Sequence, residues 1–290
     1  MASHLYGNGE MNRAEQAKQA ELFREKHRGP RLLLLPNAWD AMSARVFAAA
    51  GFEAIATTSG GVAWSLGYAD GEEAPWREVV AATARIVRAA RVPVTADIEA
   101  GYGETTDAVM RSVAEIIEAG AVGVNLEDGV LHGPVPIRSL ADAADRIRAA
   151  REAAKAAAVP IVINARTDLY LRNIGDEASR FDETVERGRA YLAAGADCVY
   201  PITLRDPATM GRLVKALGAP ININVRAGSP SVAELEALGV ARASTASQVA
   251  LMAMSLTCQI ADELRQTGRF DKLAPAVPQA DAQRLFTGPA

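Results

Sequence analysis

The sequence predicts an α/β protein, a (β/α)8 barrel. Three observations carry that prediction: eight short apolar runs, an Ala-rich amphipathic stretch of helical length after each, and a regular alternation in the residues that introduce them. The 290 residues suit one such barrel, whose norm is roughly 250 residues, with an extension at each end.

The runs occupy residues 32–35, 54–57, 94–97, 123–126, 161–165, 198–201, 221–225 and 241–244. Runs one, three, five and seven are entered through Pro30, Pro93, Pro160 and Pro220; the others follow Gly51, Gly120, Gly195 and Gly239. Glycine permits a left-handed helix stop, and proline prevents the helix from continuing. Segments 50–55, 119–124, 194–199 and 238–243 are variants of one helix-stop-strand phrase, so a βαβα unit recurs four times. An open doubly wound sheet is the alternative, but no G-x-G-x-x-G follows the first run; Gly101 and Gly103 follow the third instead. The expected organisation is a single barrel domain over 1–290, with the barrel at about 30–260, an N-terminal helix at 10–28 and a C-terminal extension at 261–290.

Composition narrows the function. The chain is 49% hydrophobic, and 31 basic against 35 acidic residues leave a net charge of −4. That excludes a disordered chain and provides no field to attract nucleic acid. Single arginines on Ala-rich stretches such as 81–91 and 141–155 read as solvated helix faces. Two cysteines, Cys198 and Cys258, exclude a disulfide framework and suit a reducing compartment, Cys198 reading as a small buried hydrophobe. His4, His27 and His132 are too scattered for a zinc helix. Segment 1–28 lacks a signal-peptide core. The apolar stretch 249–261 is short of the ~20 residues that span a bilayer. The expectation is a soluble cytoplasmic protein with no nucleic-acid or membrane partner.

Alternate strand residues share a face. In four runs one face is apolar: Val94, Ala96 and Ile98; Val122, Val124 and Leu126; Ile161, Ile163 and Ala165; Ile221, Ile223 and Val225. The opposite faces carry Thr95, Asp97 and Glu99; Asn125 and Glu127; Asn164 and Arg166; Asn222 and Asn224. Polarity therefore gathers inside the barrel toward the C-terminal ends of the strands, where barrel enzymes keep their sites. Asp97, Glu99 and Glu127 repel one another, and Arg166 offsets only part of their charge. A dication resolves the remainder, and an all-oxygen donor set selects Mg²⁺ or Mn²⁺. The competing readings are a ligand-free buried network, or Asp97 as a helix cap. Asp128 points away by alternation and is expected to cap.

After the second run, Thr57-Thr58-Ser59-Gly60-Gly61 offers backbone N–H groups and hydroxyls suited to a carboxylate or phosphate, with an ordinary turn as the alternative. Asn37 is within reach of the site, Asp40 suits a helix cap, and Trp39, Trp64 and Trp76 suit the core or rim.

Five segments now stand in register: 35–40 (Leu-Pro-Asn-Ala-Trp-Asp), Ser59-Gly60-Gly61 with 65–70, Asp97-x-Glu99-x-Gly101-Tyr102-Gly103, 125–128 (Asn-Leu-Glu-Asp) and 164–168 (Asn-Ala-Arg-Thr-Asp). Together they resemble the isocitrate lyase/phosphoenolpyruvate mutase superfamily, over roughly residues 32 to 247. The resemblance implies a Mg²⁺-dependent barrel that binds 2-oxo acids or their enolates and makes or breaks C–C or P–C bonds. It implies Asp97 as direct metal ligand, with Glu99 and Glu127 acting mainly through water. Ser59, Gly60 and Gly61 resemble the carboxylate cradle, Arg166 the cation facing the substrate, Asn125 and Asn224 further contacts, and Asp70 the acid on a mobile loop. It also implies homodimers or homotetramers that exchange the last barrel helix, where the all-round apolar segment 249–256 falls; burial within one chain is the alternative.

Departures sharpen the expected chemistry. Isocitrate and methylisocitrate lyases carry Lys-(Lys/Arg)-Cys-Gly-His after the fourth strand; here 129–136 reads Gly-Val-Leu-His-Gly-Pro-Val-Pro. Their tyrosine two residues before the cradle serine is Thr57, and Glu99 replaces the usual second Asp. The Lys-containing loop of mutases and phosphonopyruvate hydrolases is missing as well. His132 is either a substitute acid or solvated. Decarboxylation of an oxaloacetate-like acid tolerates the missing thiol better than retro-aldol cleavage does. The expectation is therefore a Mg²⁺-dependent C–C lyase or decarboxylase working through an enolate that the metal, Arg166, Ser59 and the loop N–H groups stabilise, with Asp70 and Glu127 as further catalytic residues. The rivals are a P–C bond enzyme and a non-catalytic 2-oxo-acid binder.

Overall fold

The computed structural model describes residues 12–130 and 135–287. Helix α1 (Arg13–Lys26) precedes the first strand, which Pro36 divides into β1 (Leu33–Leu35) and β2 (Asn37–Ala38). Then follow α2 (Ala41–Ala49), β3 (Ile55–Thr57), α3 (Ser59–Leu66), α4 (Trp76–Ala90), β4 (Val94–Asp97), α5 (Thr106–Glu118), β5 (Gly123–Glu127), α6 (Leu140–Ala156) and β6 (Val162–Thr167). The second half runs α7 (Glu177–Ala194), β7 (Cys198–Pro201), α8 (Pro207–Leu217), β8 (Asn222–Asn224), α9 (Val232–Ala237), β9 (Arg242–Ser244), α10 (Gln248–Thr267) and α11 (Gln279–Thr287).

Every strand pairing is parallel. β2 to β7 pair in chain order, β8 pairs β9, and β9 pairs β1. A parallel bridge between Val199 and Ile221 joins β7 to β8. Pro36 has no N–H to donate, but its carbonyl accepts from Ala56 N at 3.0 Å and so carries the ladder from β1 into β2. The ring therefore closes, and all eight predicted runs supply its strands.

The outward strand faces are apolar as alternation requires: Ala96, Val122, Val124, Ile161 and Ile163 are buried with Val113, Ile116 and Ile117 of α5 and Ile147 of α6, and Val94 is buried with Ile86, Val87 and Ala90 of α4. Asp40 caps α2 in a reciprocal capping box with Ser43, as expected. Trp76 donates from its indole N–H to Glu115 at 2.7 Å and packs on Tyr102, a rim role.

Several expectations need correction. Arg146 and Arg151 are not solvated: Arg146 is buried and donates to the carbonyls of Ala100, Gly103 and Glu104, while Arg151 pairs with Asp197. Arg146 thereby pins the loop after β4. Asp128 does point away from the barrel axis but caps no helix. Its Oδ1 accepts from Asp168 N at 2.8 Å and its Oδ2 from the Tyr191 hydroxyl at 2.5 Å, tying the ends of β5 and β6 to α7. Segment 249–256 is not buried within the chain: α10 buries only Ala250, and Met252 is 68% exposed. His132 and the first residues of the predicted 10–28 helix lie outside the described residues. Among the described residues no helix is long and apolar enough to cross a membrane.

Candidate active site

The C-terminal mouth of the barrel holds a cavity of about 210 Å³ lined by Asn37, Ser59, Asp70, Asp97, Asn125, Arg166 and other polar side chains. A larger hollow of about 630 Å³ lies at the N-terminal end around Arg24, Arg28, Arg151 and Asp197. There Asp197 already neutralises two of the arginines. Converging polar groups, not size, single out the smaller cavity.

Asp97 is its centre. Register places Asp97 opposite Asn125, and Asn125 opposite Asn164. The Asn125 amide donates to Asp97 Oδ1 at 2.8 Å and accepts from Asn164 Nδ2 at 2.9 Å, which fixes its orientation. Ser59 N donates to Asp97 Oδ2 at 3.2 Å, and Asp97 N donates to the Thr57 hydroxyl at 2.8 Å. Thus the 59–61 segment is the first turn of α3, capped by Thr58 and facing the Asp97 carboxylate. Its glycines are needed for close approach. A Cβ on Gly61 would lie 2.7 Å from the Thr58 methyl and from Trp39 Cβ, and one on Gly60 would lie 3.1 Å from Asp70 Oδ2. Asp70 hydrogen-bonds Ser59, and burial, then the Asp97 charge, push its carboxyl above the ordinary range.

Glu99 follows β4 at φ 51°, outside strand geometry. Its Oε2 accepts from Glu72 N at 3.0 Å and its Oε1 from the Tyr102 hydroxyl at 3.1 Å. Glu72 in turn accepts from Tyr102 N at 2.7 Å, so the loop after α3 is latched onto the loop after β4. Burial, then Asp97 and Asp70, push Glu99 up to about 8. Glu127 and Arg166 face each other in register and pair at 2.5 Å; Arg166 Nε also donates to Asp168 at 2.8 Å. Burial alone would lower the Arg166 pKa, but Glu127, Asp168 and Asp97 outweigh it and raise it.

Ser59, Asp70, Asp97, Asn125 and Arg166 thus line the cavity together. Gly60, Gly61, Glu99 and Glu127 stand behind that lining. Asn224 does as well, its Oδ1 accepting from Thr203 N at 2.9 Å. Among the described residues no three His, Cys, Asp or Glu side chains are close enough together to enclose a metal ion directly. Cys198 is buried below the cavity, where burial pushes its thiol up to about 12.

Residues 23–265 match the family model of phosphoenolpyruvate phosphomutase. The chain belongs to that family. It falls within the isocitrate lyase/phosphoenolpyruvate mutase superfamily, as the sequence motifs indicate. Over 232 residues it is 34% identical to 2,3-dimethylmalate lyase of Eubacterium barkeri, covering 77% of this chain and 76% of the relative. Over 214 residues it is 35% identical to oxaloacetate decarboxylase of Chromohalobacter salexigens, covering 70% of each. Among solved structures, oxaloacetate acetylhydrolase in complex with oxalate superposes with a TM-score of 0.80 at 26% identity, covering 92% of this chain and 93% of that one. The two relatives matched in sequence are by name a lyase and a decarboxylase, the matched structure is an acetylhydrolase, and the family barrel is the fold seen here.

Sequence reasoning missed several members of the site. Tyr200, Arg242 and Ser244 line the cavity. Strand alternation on the sixth and eighth runs would have placed them inward. Glu72 left no such signal, because its partnership with Glu99 depends on where two loops meet.

Proposed function

We propose that the protein is a Mg²⁺-dependent enzyme that cleaves a carbon–carbon bond in a small 2-oxo or 2-hydroxy carboxylic acid, as a decarboxylase or lyase acting through an enolate. The observation that carries this reading is the Asp97 carboxylate, fixed by Asn125 and the Ser59 N–H, facing the Arg166 guanidinium across the cavity.

The donor set fits a hard dication. All donors are oxygens, and burial, then the mutual repulsion of Asp97, Asp70 and Glu99, raises the Asp70 and Glu99 carboxyls, a strain that a cation relieves. Asp97 would hold the ion, with Glu99 and Glu127 reaching it through water. When bound, the ion supplies Lewis acidity and a template for a 2-oxo-carboxylate. The protein's own groups do the rest. Arg166, held by Glu127 and Asp168, presents a fixed cation to the charge that develops as the bond breaks. Asn125 and the first turn of α3 orient the acid, with Ser59, Gly60 and Gly61 as its cradle and Asn224 supporting from behind. Asp70, its carboxyl raised toward the protonated form, can deliver a proton from the loop. The 129–136 loop has no cysteine, which favours decarboxylation over a thiol-dependent retro-aldol step.

The exposed apolar face of α10 supports assembly of two or four chains that exchange this helix. The deciding assay is pyruvate release from oxaloacetate and from 2-methyl- and 3-hydroxy-substituted relatives, with Mg²⁺ and with chelator. Turnover that chelation abolishes is expected. Mg²⁺-dependent binding without turnover of any of these acids would refute catalysis and leave the binder. Phosphate release from a phosphonate would point to P–C chemistry.

A further inference from the structure

Two guanidiniums line the cavity, and they differ in their company. Arg166 is met by Glu127 at 2.5 Å and Asp168 at 2.8 Å. Arg242 opens β9, in register with Leu33 of β1 and Asn222 of β8, and shares the inward strand face with Ser244. It is only 2% exposed, yet Nε and Nη1 find no hydrogen-bond partner, and no ion pair among the described residues includes it. Thr95 Oγ1 and Asn164 Oδ1, on residues that line the same cavity, are also buried without a partner.

A guanidinium keeps its charge, and burying it without a counter-charge is costly. Among the described residues no carboxylate forms an ion pair with Arg242, and Asp97 acts on it only from a distance, so the cavity is the place for a close counter-charge. We propose that Arg242 is a substrate-binding residue, whose guanidinium takes a carboxylate of the bound acid at the floor of the cavity. Asp97 and Arg166 then face the reacting end. This rests on the lyase reading only in taking the ligand to be a small carboxylate, and it extends that reading to a residue outside the superfamily motifs quoted above. Arg242 is a binding residue here, not an acid or base, since its charge persists throughout.

The test is calorimetric titration of oxalate, with Mg²⁺ present, into the wild type, Arg242→Met and Arg242→Lys, together with melting of each protein without ligand. Losing a charge-assisted hydrogen bond should weaken oxalate binding roughly ten- to hundredfold in Arg242→Met. Arg242→Lys, which keeps the charge, should weaken it less. The ligand-free melting temperature of Arg242→Met should hold or rise, because an unpaired buried charge has gone. Wild-type affinity in Arg242→Met, or a lowered melting temperature with unchanged affinity in either variant, overturns the proposal and assigns Arg242 a packing role. The pyruvate-release assay on the wild type is independent. Arginine-dependent oxalate binding without turnover removes the lyase reading and keeps this one, whereas turnover with an unaltered KM in Arg242→Met does the reverse. Failure of the wild type to bind oxalate defeats this proposal and leaves the lyase reading to the pyruvate-release assay.

Discussion

Arg166 sits in a balanced quartet of charges, and replacing it by Met exposes how that balance is built. Glu127 and Asp168 are the acids, with side chains 3% and 0% exposed; Arg166 and Arg172 are the bases, and Arg172 is 28% exposed. Removing Arg166 leaves two buried carboxylates against one half-solvated guanidinium, which should cost about 3–5 kcal/mol of stability. Glu127→Gln should cost far less, about 1–2 kcal/mol, because Arg166 retains Asp168 and because burial already pushes the Glu127 carboxyl up against the pull of Arg166. The double variant removes one charge of each sign, so its cost should fall short of the sum by at least ~1 kcal/mol. Urea denaturation of the four proteins at one pH gives the cycle directly. Additivity within about 0.5 kcal/mol, or an Arg166→Met cost below about 1 kcal/mol, would show that the quartet is a set of solvated contacts and not one buried network.

Three further outcomes follow from the structure. His27 is buried with Nδ1 donating to Phe23 O at 2.8 Å, and burial, then the Arg242 charge, lower its pKa to about 3. Between pH 6.5 and 3 the unfolded chain holds the extra proton, so stability falls with pH there, by about 2 kcal/mol at pH 5. His27→Phe should remove that slope from denaturation curves at pH 7 and 5, and an unchanged slope would refute the assignment. Gly61→Ala forces the 2.7 Å contact with Thr58 and Trp39 and should cost about 1–3 kcal/mol in thermal melts while raising KM through Ser59. Gly60→Ala meets the Asp70 carboxylate and the Trp64 indole only at 3.1 Å and should cost less; equal costs would argue against a rigid turn. Light scattering should give a multiple of the 30.6 kDa chain, reduced by charged replacements at Leu251 and Met252; a wild-type monomer would refute helix exchange.

How far the sequence carries the fold is clearest along the strands. Proline and glycine mark where each helix stops, and the two-residue period then decides which side chains enter the barrel. On β4 to β6 that period alone brings Asp97, Asn125, Asn164 and Arg166 together. It fails at Glu99 for a local reason: at φ 51° the backbone has left the strand, and the side chain turns to the Glu72 loop. It also says nothing of depth, so Glu127 lies inward yet behind Arg166. The Ala-rich helices mislead differently. A single arginine among alanines looks solvated, but Arg146 reaches from α6 to three carbonyls of the loop after β4.

Helix α10 marks where one chain's sequence runs out. An apolar face fits burial against its own barrel or against another copy equally well, and hydropathy is the same for both. The structure removes the first of these. Within the chain α10 buries Ala250 alone, beside Gly61, while Leu251, Met252, Met254 and Leu256 stay exposed. A stripe of that size is costly in water and calls for cover. Because the one buried contact lands on the cradle turn, a neighbour that moves α10 would also shift Ser59. On the proposed assembly, dilution to single chains should therefore raise KM before it lowers kcat, through the contact of Ala250 with Gly61.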